Sequence, residues 1–283
     1  MKKILLTGST GFIGRNILPI LQKHFEVVVP KRQDLNLMDE NEVKTFLFLH
    51  KFDAVIHNAN PNPVKNNLDQ PDLFLEDSLR MFANLYASRA YFGKLIYMGS
   101  GAEYDKSLDI TNIKEEDFGR SVPKDTYGLS KYIMNIMAQS ADNVIDLCVF
   151  ACYGPYDHPS KFITHCIQCC LNKTPISIRQ DCKFDYLHVF DVAKMLVWLI
   201  DNNPKHTTYN AGSGRHLLLS DIAKIVVQQF HLDLPIEVQS PGLNKEYTAN
   251  VTRFVEESGL MPSIPIEIGI AMQIQWEKEH SKL

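Results

Sequence analysis

The sequence predicts an α/β fold, a doubly wound parallel sheet with helices on both faces, followed by a second and smaller C-terminal lobe. Two observations support this prediction. Short apolar runs of strand length alternate with segments of helical periodicity through the first half of the chain. The first run leads through a glycine-rich turn directly into a helix, as βαβ units do. Beyond Tyr153 the pattern loosens and prolines mark frequent turns, which indicates a lobe of different construction.

Each element follows from the local pattern of apolar residues. Strands are expected at five apolar runs, near residues 3–7, 26–29, 53–57, 94–98 and 144–150. Right-handed crossovers between them give the economical topology. Helices are expected over Phe12–Leu21, from Phe74 to Phe92 and from Tyr127 to about Met137. The long second helix could form the face of a homodimer, or its apolar side could pack on the sheet. Residues 105–124 are polar, and a loop is predicted there.

Composition limits the function. With 283 residues, 45% hydrophobic and 22% charged, the chain matches an ordinary soluble globular protein. A net charge of −4 argues against a nucleic-acid surface. The apolar start is too short for a signal peptide and no run reaches membrane-spanning length, so no membrane association and a cytoplasmic location are expected. Cys166, Cys169 and Cys170 fit the buried face of a helix and, with Cys182, lack the spacing of a zinc site, so no metal is expected.

The turn after the first strand contains three glycines, at the spacing Gly-x-x-Gly-x-x-Gly. Small residues allow a tight turn and close approach of a ligand to the backbone, and the start of a helix favours an anion. The pyrophosphate of a dinucleotide suits this chemistry. The predicted contacts are Gly8, Ser9, Thr10, Gly11, Phe12, Ile13 and Gly14. The alternatives are an ordinary strand-to-helix turn and a Rossmann-like protein that binds another ligand.

The end of the second strand favours NADP over NAD. NAD-binding proteins of the Rossmann type commonly have an acidic residue there for the ribose 2′-hydroxyl. This chain has Lys31 and Arg32, and Asp34 only later. Two cations suit a 2′-phosphate. Alternatively they form a solvated turn and Asp34 reaches the ribose, which would favour NAD. Residues beyond the second and third strands complete the predicted cofactor set: Asn36, Leu37, Asn58 and Ala59.

These predictions divide the chain in two. A dinucleotide-binding domain is expected over residues 1–155, with a late strand near residues 186–212 that returns to its sheet. Residues 156–185 and 215–283 are expected to form a substrate-binding lobe.

Tyr127 and Lys131 are spaced to share one face of the predicted helix. Tyrosine titrates near pH ~10, but an adjacent cation favours its phenolate. Such a pair can move a proton to or from an alcohol oxygen, and both residues are also expected to contact the cofactor. Ser100 follows a predicted strand, where open α/β sheets bind ligands, and could hydrogen-bond the reacting oxygen. The alternatives are a surface or packing pair and a turn serine bonded to a neighbouring amide.

In order and separation, the glycine turn, Ser100 and the Tyr127/Lys131 pair resemble the extended short-chain dehydrogenase/reductases, the NAD(P)-dependent sugar epimerase/dehydratase family. Three later segments resemble landmarks of that family: Tyr153–Pro155, Asp185–Ala193 and Tyr209–Gly214. Within the family, residues 28–39 are most similar to the GDP-L-fucose synthases, which use NADPH. There the position of Arg32 serves the 2′-phosphate. The resemblance implies that Ser100, Tyr127 and Lys131 are catalytic and that the substrate is a nucleotide sugar.

Two positions after Ser100 depart from these relatives. The 4,6-dehydratases of the family have an Asp-Glu pair there, and the GDP-L-fucose synthases have a cysteine at the second position. This chain has Gly101 and Ala102. Neither residue titrates, so dehydration or epimerisation by those routes is not expected, and reduction of a ketone remains.

Two further departures concern the substrate. Ala151 stands where the family commonly has an asparagine, and Phe184 stands where it commonly has an arginine that binds the diphosphate. Phenylalanine cannot replace the paired hydrogen bonds of a guanidinium. Cations elsewhere could compensate. The predicted substrate set combines these with the two small residues: Gly101, Ala102, Arg179, Lys183 and Arg253.

The leading hypothesis is an NADPH-dependent oxidoreductase that reduces a keto group on a nucleotide-linked sugar, foremost a 6-deoxysugar. Tyr127 would donate the proton, Lys131 would tune it, and Ser100 would orient the carbonyl. Two alternatives stay open: an NAD-dependent nucleotide-sugar 4-epimerase with the same three residues, and a non-catalytic dinucleotide-binding sensor or scaffold.

Overall fold

The computed structural model describes residues 1–61 and 71–280. Its strands, β1 to β14 in chain order, are Lys3–Thr7, Glu26–Val28, Ala54–His57, Lys94–Ser100, Ile110–Ile113, Val144–Val149, Ala151–Tyr153, Ile176–Asp181, Lys183–Phe184, Tyr186–His188, Thr208–Ala211, Leu217–Leu218, Ile236–Leu243 and Tyr247–Ala249. Its helices, α1 to α9, are Phe12–Leu21, Glu40–His50, Pro71–Ala87, Thr126–Ala138, Phe162–Asn172, Val189–Asp201, Leu219–Gln229, Thr252–Ser258 and Ile266–His280. Short 3₁₀ turns cover Arg89–Tyr91, Gly101–Tyr104 and Glu115–Asp117.

A six-stranded parallel sheet forms the centre of the fold, with the strand order β11-β6-β4-β3-β1-β2. Five of these strands were predicted from the apolar runs, and the doubly wound α/β fold class is confirmed. The chain leaves β1 toward β2 on one side and returns to β3 on the other. A ligand cleft is expected at the carboxyl ends of strands beside such a reversal.

Apolar clusters cover both faces of this sheet. Ile4 and Leu6 point into one cluster with α1 and α6, and Leu5 points into the other with α2, α3 and α4. This alternation follows from the two-residue period of a strand. Helix α3 buries Phe82 and Leu85 in the second cluster, so its apolar side packs on the sheet. A homodimer remains a prediction.

A third apolar cluster lies in the C-terminal half and is formed mainly by α5, α7, α9 and β8. Cys166, Cys169 and Cys170 of α5 are buried in it, as predicted. The elements named lie within the residue ranges predicted for a substrate-binding lobe, and that division stays a prediction. No helix in the described part of the chain is both long and apolar enough to cross a bilayer.

Two predictions about secondary structure are corrected. The predicted loop over residues 105–124 contains β5, which pairs with the distant β14. Ile110 and Ile113 are buried in that pairing, but the exposed Thr111 and Asn112 between them hide any alternation. The late strand near residues 186–212 is two strands. Only β11 joins the central sheet, beside β6, because β10 pairs with β7.

Candidate active site

The turn between β1 and α1 is shaped by two of its glycines. Gly8 has a φ of +68°, and a Cβ there would lie 2.6 Å from the Ala59 nitrogen. A Cβ on Gly14 would lie 2.2 Å from the Gly8 carbonyl oxygen, so α1 can pack this closely on the turn only because the residue is glycine. Arg15 donates the first bond of α1, to the Gly11 carbonyl at 2.9 Å. The Gly11 amide donates to the Gly8 carbonyl at 3.3 Å, so the first-turn amides at residues 12–14 are the ones left for a ligand, and this cradle fits a pyrophosphate.

A first cavity of about 360 Å³ opens beside this turn. It is lined by eight residues of the predicted cofactor set: Gly8, Ser9, Thr10, Lys31, Arg32, Asn36, Leu37 and Ala59. Asp34 does not line it, because its carboxylate accepts from the Lys31 amide at 3.0 Å. The arrangement therefore presents two cations and turns the Asp34 carboxylate back onto the chain, while Asp77 of α3 also lines the cavity.

A second cavity, of about 300 Å³, shares Ala59 and Asn60 with the first. Its lining includes seven predicted residues: Phe12, Ile13, Asn58, Ala59, Ser100, Tyr127 and Lys131. Apart from Gly11 and Gly14, which build the turn, every residue of the predicted cofactor and catalytic sets thus lines one of two adjoining cavities. The structure brings the two distant motifs together at the carboxyl ends of the parallel strands.

Ser100 ends β4 with extended backbone, and its hydroxyl oxygen accepts from the Ala102 amide at 3.3 Å. The same hydroxyl lies close enough to the phenols of Tyr127 and Tyr247 to lower the pKa of both, against the effect of burial. Ser100 therefore makes the turn hydrogen bond considered as an alternative, and this bond is compatible with the predicted catalytic role, which stays a prediction. Tyr247 was not predicted, because it lies in a C-terminal stretch without a recognisable motif.

Helix α4 places Tyr127 and Lys131 beside Ser100. Asp125 caps the helix by accepting from the Gly128 amide at 2.9 Å. A Cβ on Gly128 would lie 2.7 Å from the Ala102 carbonyl oxygen, so the glycine allows the first turn of α4 to touch the turn after Ser100. Lys131, one helical turn on, donates to the Met98 carbonyl at 2.7 Å, and its Nζ lies 5.9 Å from the centre of the Tyr127 ring.

Burial dominates the titration of this pair. Desolvation raises the pKa of Tyr127 above its ordinary value, although the bond with Ser100 opposes the shift. Desolvation also lowers the pKa of Lys131 to about 8, although Asp146 and Glu103 act to raise it. Burial therefore favours the phenol form of Tyr127 in this structure, and the expected effect of Lys131 together with a bound nicotinamide on the Tyr127 pKa stays a prediction.

An aromatic wall faces Ser100 across the second cavity. It consists of four side chains from different strands or strand ends: Phe150, Phe184, Tyr186 and Tyr247. The Tyr247 ring lies 5.0 Å from Phe150 and 5.3 Å from Phe184, centre to centre, which are ordinary distances for packed aromatic rings. A Cβ on Gly101 would lie 2.7 Å from both Phe150 and the Tyr247 hydroxyl. The glycine therefore lets the wall approach Ser100, while Ala102 is fully buried behind it.

The cations predicted for the substrate are not brought to this cavity. Arg179 and Lys183 are exposed on β8 and β9, outside both cavities. Arg253 lines a different cavity, where it pairs with Glu116 at 2.6 Å. Lys161, at the start of α5, lines the second cavity instead. Its position a few residues after the Tyr-Gly-Pro landmark was the only signal in the sequence.

The fold, the glycine cradle and the Ser100/Tyr127/Lys131 cluster define a Rossmann-type protein of the extended short-chain dehydrogenase/reductase class. The chain belongs to the NAD dependent epimerase/dehydratase family, whose pattern matches residues 4–212. Membership supports an enzyme with oxidoreductase or epimerase chemistry and a nicotinamide dinucleotide, and the predicted family is confirmed.

Individual relatives agree with this assignment. GDP-L-fucose synthase from Sinorhizobium fredii is 26% identical over 95% of this chain and 93% of its own. In structure, the chain is similar to GDP-mannoheptose C4 reductase from Campylobacter jejuni with NADP bound, with a TM-score of 0.84 and 20% identity over 98% of both chains. It is also similar to UDP-glucose 4-epimerase from Thermus thermophilus in complex with NAD, with a TM-score of 0.81 and 22% identity over 98% of this chain and 99% of that one.

Proposed function

We propose that this protein reduces a keto group on a nucleotide-linked sugar, with NADPH as the reductant and a 4-keto-6-deoxyhexose as the foremost sugar. One observation carries the proposal. Ser100, Tyr127 and Lys131 line the second cavity, which adjoins the first cavity with its Lys31 and Arg32. A phenol, an ammonium and a hydroxyl thus meet beside a site suited to a phosphorylated dinucleotide.

The lining of the first cavity supports NADP as the dinucleotide. Lys31 and Arg32 line the first cavity, and Asp34 is engaged with the backbone of its own turn. A guanidinium binds phosphate oxygens through several donors at once, and it gains nothing comparable from a ribose hydroxyl. The relative strength of NADPH and NADH binding is therefore expected to depend on Arg32.

The catalytic residues have separable roles in this proposal. When bound, the reduced nicotinamide supplies hydride to the carbonyl carbon. The Ser100 hydroxyl donates to the carbonyl oxygen and holds it beside Tyr127. Tyr127, whose raised pKa keeps it protonated, gives its proton to that oxygen as negative charge develops. Lys131, fixed by the Met98 carbonyl, stabilises the phenolate left behind and holds the ribose of the cofactor.

The absence of an acid next to Ser100 favours reduction over the related reactions. Gly101 and Ala102 have no titratable group, and Ala102 is buried. Proton transfer at a carbon beside the carbonyl, which dehydration and ring epimerisation need, has no donor or acceptor at these positions.

The substrate half is proposed to bind the diphosphate with Lys161 and the first amides of α5. Both Lys161 and Phe162 line the cavity, and no side chain caps α5. The dipole of a helix N-terminus and a lysine suit the same anion. The aromatic wall would then cover the apolar face of the sugar or the base.

An NADPH-oxidation assay across 4-keto-6-deoxyhexoses on GDP, dTDP, CDP and UDP carriers tests the proposal, with NADH in parallel and Tyr127→Phe as the inactive control. Stoichiometric oxidation of NADPH with one carrier is expected. The 4-epimerase alternative predicts NAD that copurifies with the protein, interconversion of two nucleotide sugars and no net oxidation. Tight cofactor binding without turnover of a keto-sugar on any carrier would favour the non-catalytic sensor or scaffold.

A further inference from the structure

Two carboxyl groups are buried directly behind the catalytic residues. Glu103 lies in the turn after Ser100, and Asp146 lies on β6, and both side chains have an exposure of 0%. Asn135 of α4 joins them, because its Nδ2 donates to Glu103 Oε1 and to Asp146 Oδ2, each at 2.8 Å. None of the three was singled out by the sequence motifs.

The hydrogen bonds of this group are too few for two charges. The Asn135 amide is oriented by its own carbonyl oxygen, which accepts from Gln139 at 2.8 Å and from Thr208 at 3.3 Å. Within residues 1–61 and 71–280, Glu103 Oε2 and Asp146 Oδ1 accept no hydrogen bond of good geometry, although the Tyr97 phenol near Asp146 and the Cys148 thiol near Glu103 each act to lower the pKa of that carboxyl. A buried carboxylate needs several donors, and two like charges in one buried site disfavour each other. A proton on one carboxyl removes one charge and provides a further donor.

The pair touches the strand end that holds the catalytic groups. A Cβ on Gly99 would lie 1.8 Å from Asp146 Oδ1, so the carboxyl packs directly against the Gly99 backbone. On either side of Gly99 are Met98, whose carbonyl accepts from Lys131, and Ser100. The negative charge of the pair therefore lies next to the point at which the catalytic ammonium is fixed.

We propose that Glu103 and Asp146 hold a single proton between them, with Asp146 as the ionised partner, and that this one negative charge is a positioning element that keeps Lys131 charged and directed at Met98. The part that concerns catalysis rests on the proposed function. The shared proton itself does not.

The titration of the groups agrees with this arrangement. Burial raises the pKa of Glu103 well above its ordinary value, and burial raises the pKa of Asp146 to about 7. Burial lowers the pKa of Lys131 to about 8, against the attraction of Asp146 and Glu103. Asp146 is ionised above about pH 7 and Lys131 is charged below about pH 8, so both charges coexist between these values while Glu103 keeps its proton.

Other titratable groups face the pair or Lys131 from every neighbouring element, namely Tyr97, Tyr104, Glu115, Tyr127, Cys148, Tyr247 and His57. Burial raises the pKa of the tyrosines and of Cys148 and lowers the pKa of His57 to about 3, so these stay neutral. Glu115 lies 3.7 Å from the guanidinium of Arg253, which offsets its charge. Among these groups, Lys131 is therefore the one positive charge that faces the pair.

Infrared spectroscopy of the NADPH complex tests the shared proton without any turnover. At a pH of about 8 the wild-type protein should show the band of one buried protonated carboxyl. The band should disappear in Glu103→Gln and persist in Asp146→Asn, since Glu103 remains buried there. Absence of the band in the wild type, or its survival in Glu103→Gln, would overturn the proposal.

The alkaline limb of kcat/KM for keto-sugar reduction tests the effect on Lys131. Asp146→Asn removes the charge, so the limb should move to lower pH by about one unit. Glu103→Gln should leave the limb in place, because its amide can still donate to Asp146. Asp181→Asn is the matched control, a buried carboxyl outside both cavities that accepts from the amides of Cys182 and Ser220.

The outcomes separate this proposal from the proposed function. An unchanged limb in Asp146→Asn, or an equal shift in Asp181→Asn, would contradict the positioning role. Failure of every keto-sugar to react would refute the proposed function alone, because the infrared result is obtained without substrate. If Asp146→Asn does not fold, the wild-type band and its loss in Glu103→Gln still decide the question of the proton.

Discussion

The two cavities of the site are built in different ways. The first is lined mainly by two short segments, residues 7–10 in the glycine turn and residues 30–38 after β2, with further residues from the stretch after β3 and from α3. The second is closed by rings from β9, β10, β14 and the end of β6, and it contains the half-buried Lys131. A surface made of backbone is fixed by a few adjacent residues, whereas a surface made of packed rings depends on pairings between distant strands.

The charges differ in the same way. Lys31 and Arg32 are exposed, so water screens them until a phosphate arrives. Lys131 is surrounded by protein, so its neighbours set its charge, and its pKa falls to about 8. Substitutions in the first cavity should therefore change cofactor binding alone, whereas substitutions of the Ser100, Tyr127 and Lys131 cluster in the second should change chemistry or its pH dependence. The predictions below test this division.

Tyr127→Phe should have the largest effect. Loss of the phenol proton is expected to lower kcat for keto-sugar reduction by roughly 10²- to 10⁴-fold, because Tyr127 is the proposed proton donor to the carbonyl oxygen. The Kd for NADPH, measured by fluorescence titration, should stay within about twofold of the wild type. Wild-type turnover in this variant would contradict the assignment of the catalytic step to the second cavity.

Arg32→Ala should weaken NADPH binding by about 10- to 100-fold, since a hydrogen bond to a charged group contributes about 1.5–3 kcal/mol. Binding of NADH should change little, because it lacks the 2′-phosphate. Titrations of both cofactors check this, with the exposed Lys44→Ala on α2 as the matched loss of charge. An equal loss for NADH and NADPH would contradict the assignment of the 2′-phosphate to this turn.

Lys161→Ala should raise KM for the nucleotide sugar by about tenfold with little change in kcat, because a partly exposed cation contributes about 1.4 kcal/mol to holding the diphosphate. Lys183→Ala is the control, since Lys183 was predicted from the sequence but lies outside both cavities. If Lys183→Ala had the larger effect on KM, the diphosphate would have to bind elsewhere than at α5.

The pH dependence should be the smallest effect. The ammonium of Lys131 is present below its pKa and is lost as pH rises, so the rate of reduction should fall by about half near pH 8. Adenosine 2′,5′-bisphosphate is a probe for the first cavity alone, and its Kd should be flat between about pH 7 and about pH 9, because Lys131 takes no part in binding it. A parallel decline of both quantities would place the titrating group outside the second cavity.

The sequence was sufficient where neighbouring residues alone decide the structure. The strand before Gly8, the close approach at Gly14 and the spacing of Tyr127 and Lys131 are local patterns with a direct physical meaning. The family resemblance then supplied the order of these motifs, and the sheet brought them together at the carboxyl ends of its strands.

The sequence was insufficient where distant segments meet. The pairing of β5 with β14 turned a polar stretch into a strand and brought Tyr247 against Ser100. The pKa of Tyr127 depends on how deeply its hydroxyl is buried, and that burial could not be read from the cation four residues away. The Glu103–Asp146 pair has no local pattern at all, because the turn after β4, strand β6 and helix α4 bring it together.

The close contact at Gly101 also constrains how this site could change over evolutionary time. Any side chain added there would strike Phe150 and the hydroxyl of Tyr247. A substitution that introduces a carboxylate at this position would need smaller rings at Phe150 and Tyr247, and a trimmed ring alone would leave a gap beside Ser100. Two or more coordinated changes would therefore be needed before an acid could be accommodated there, so the shape of the aromatic wall itself resists that change.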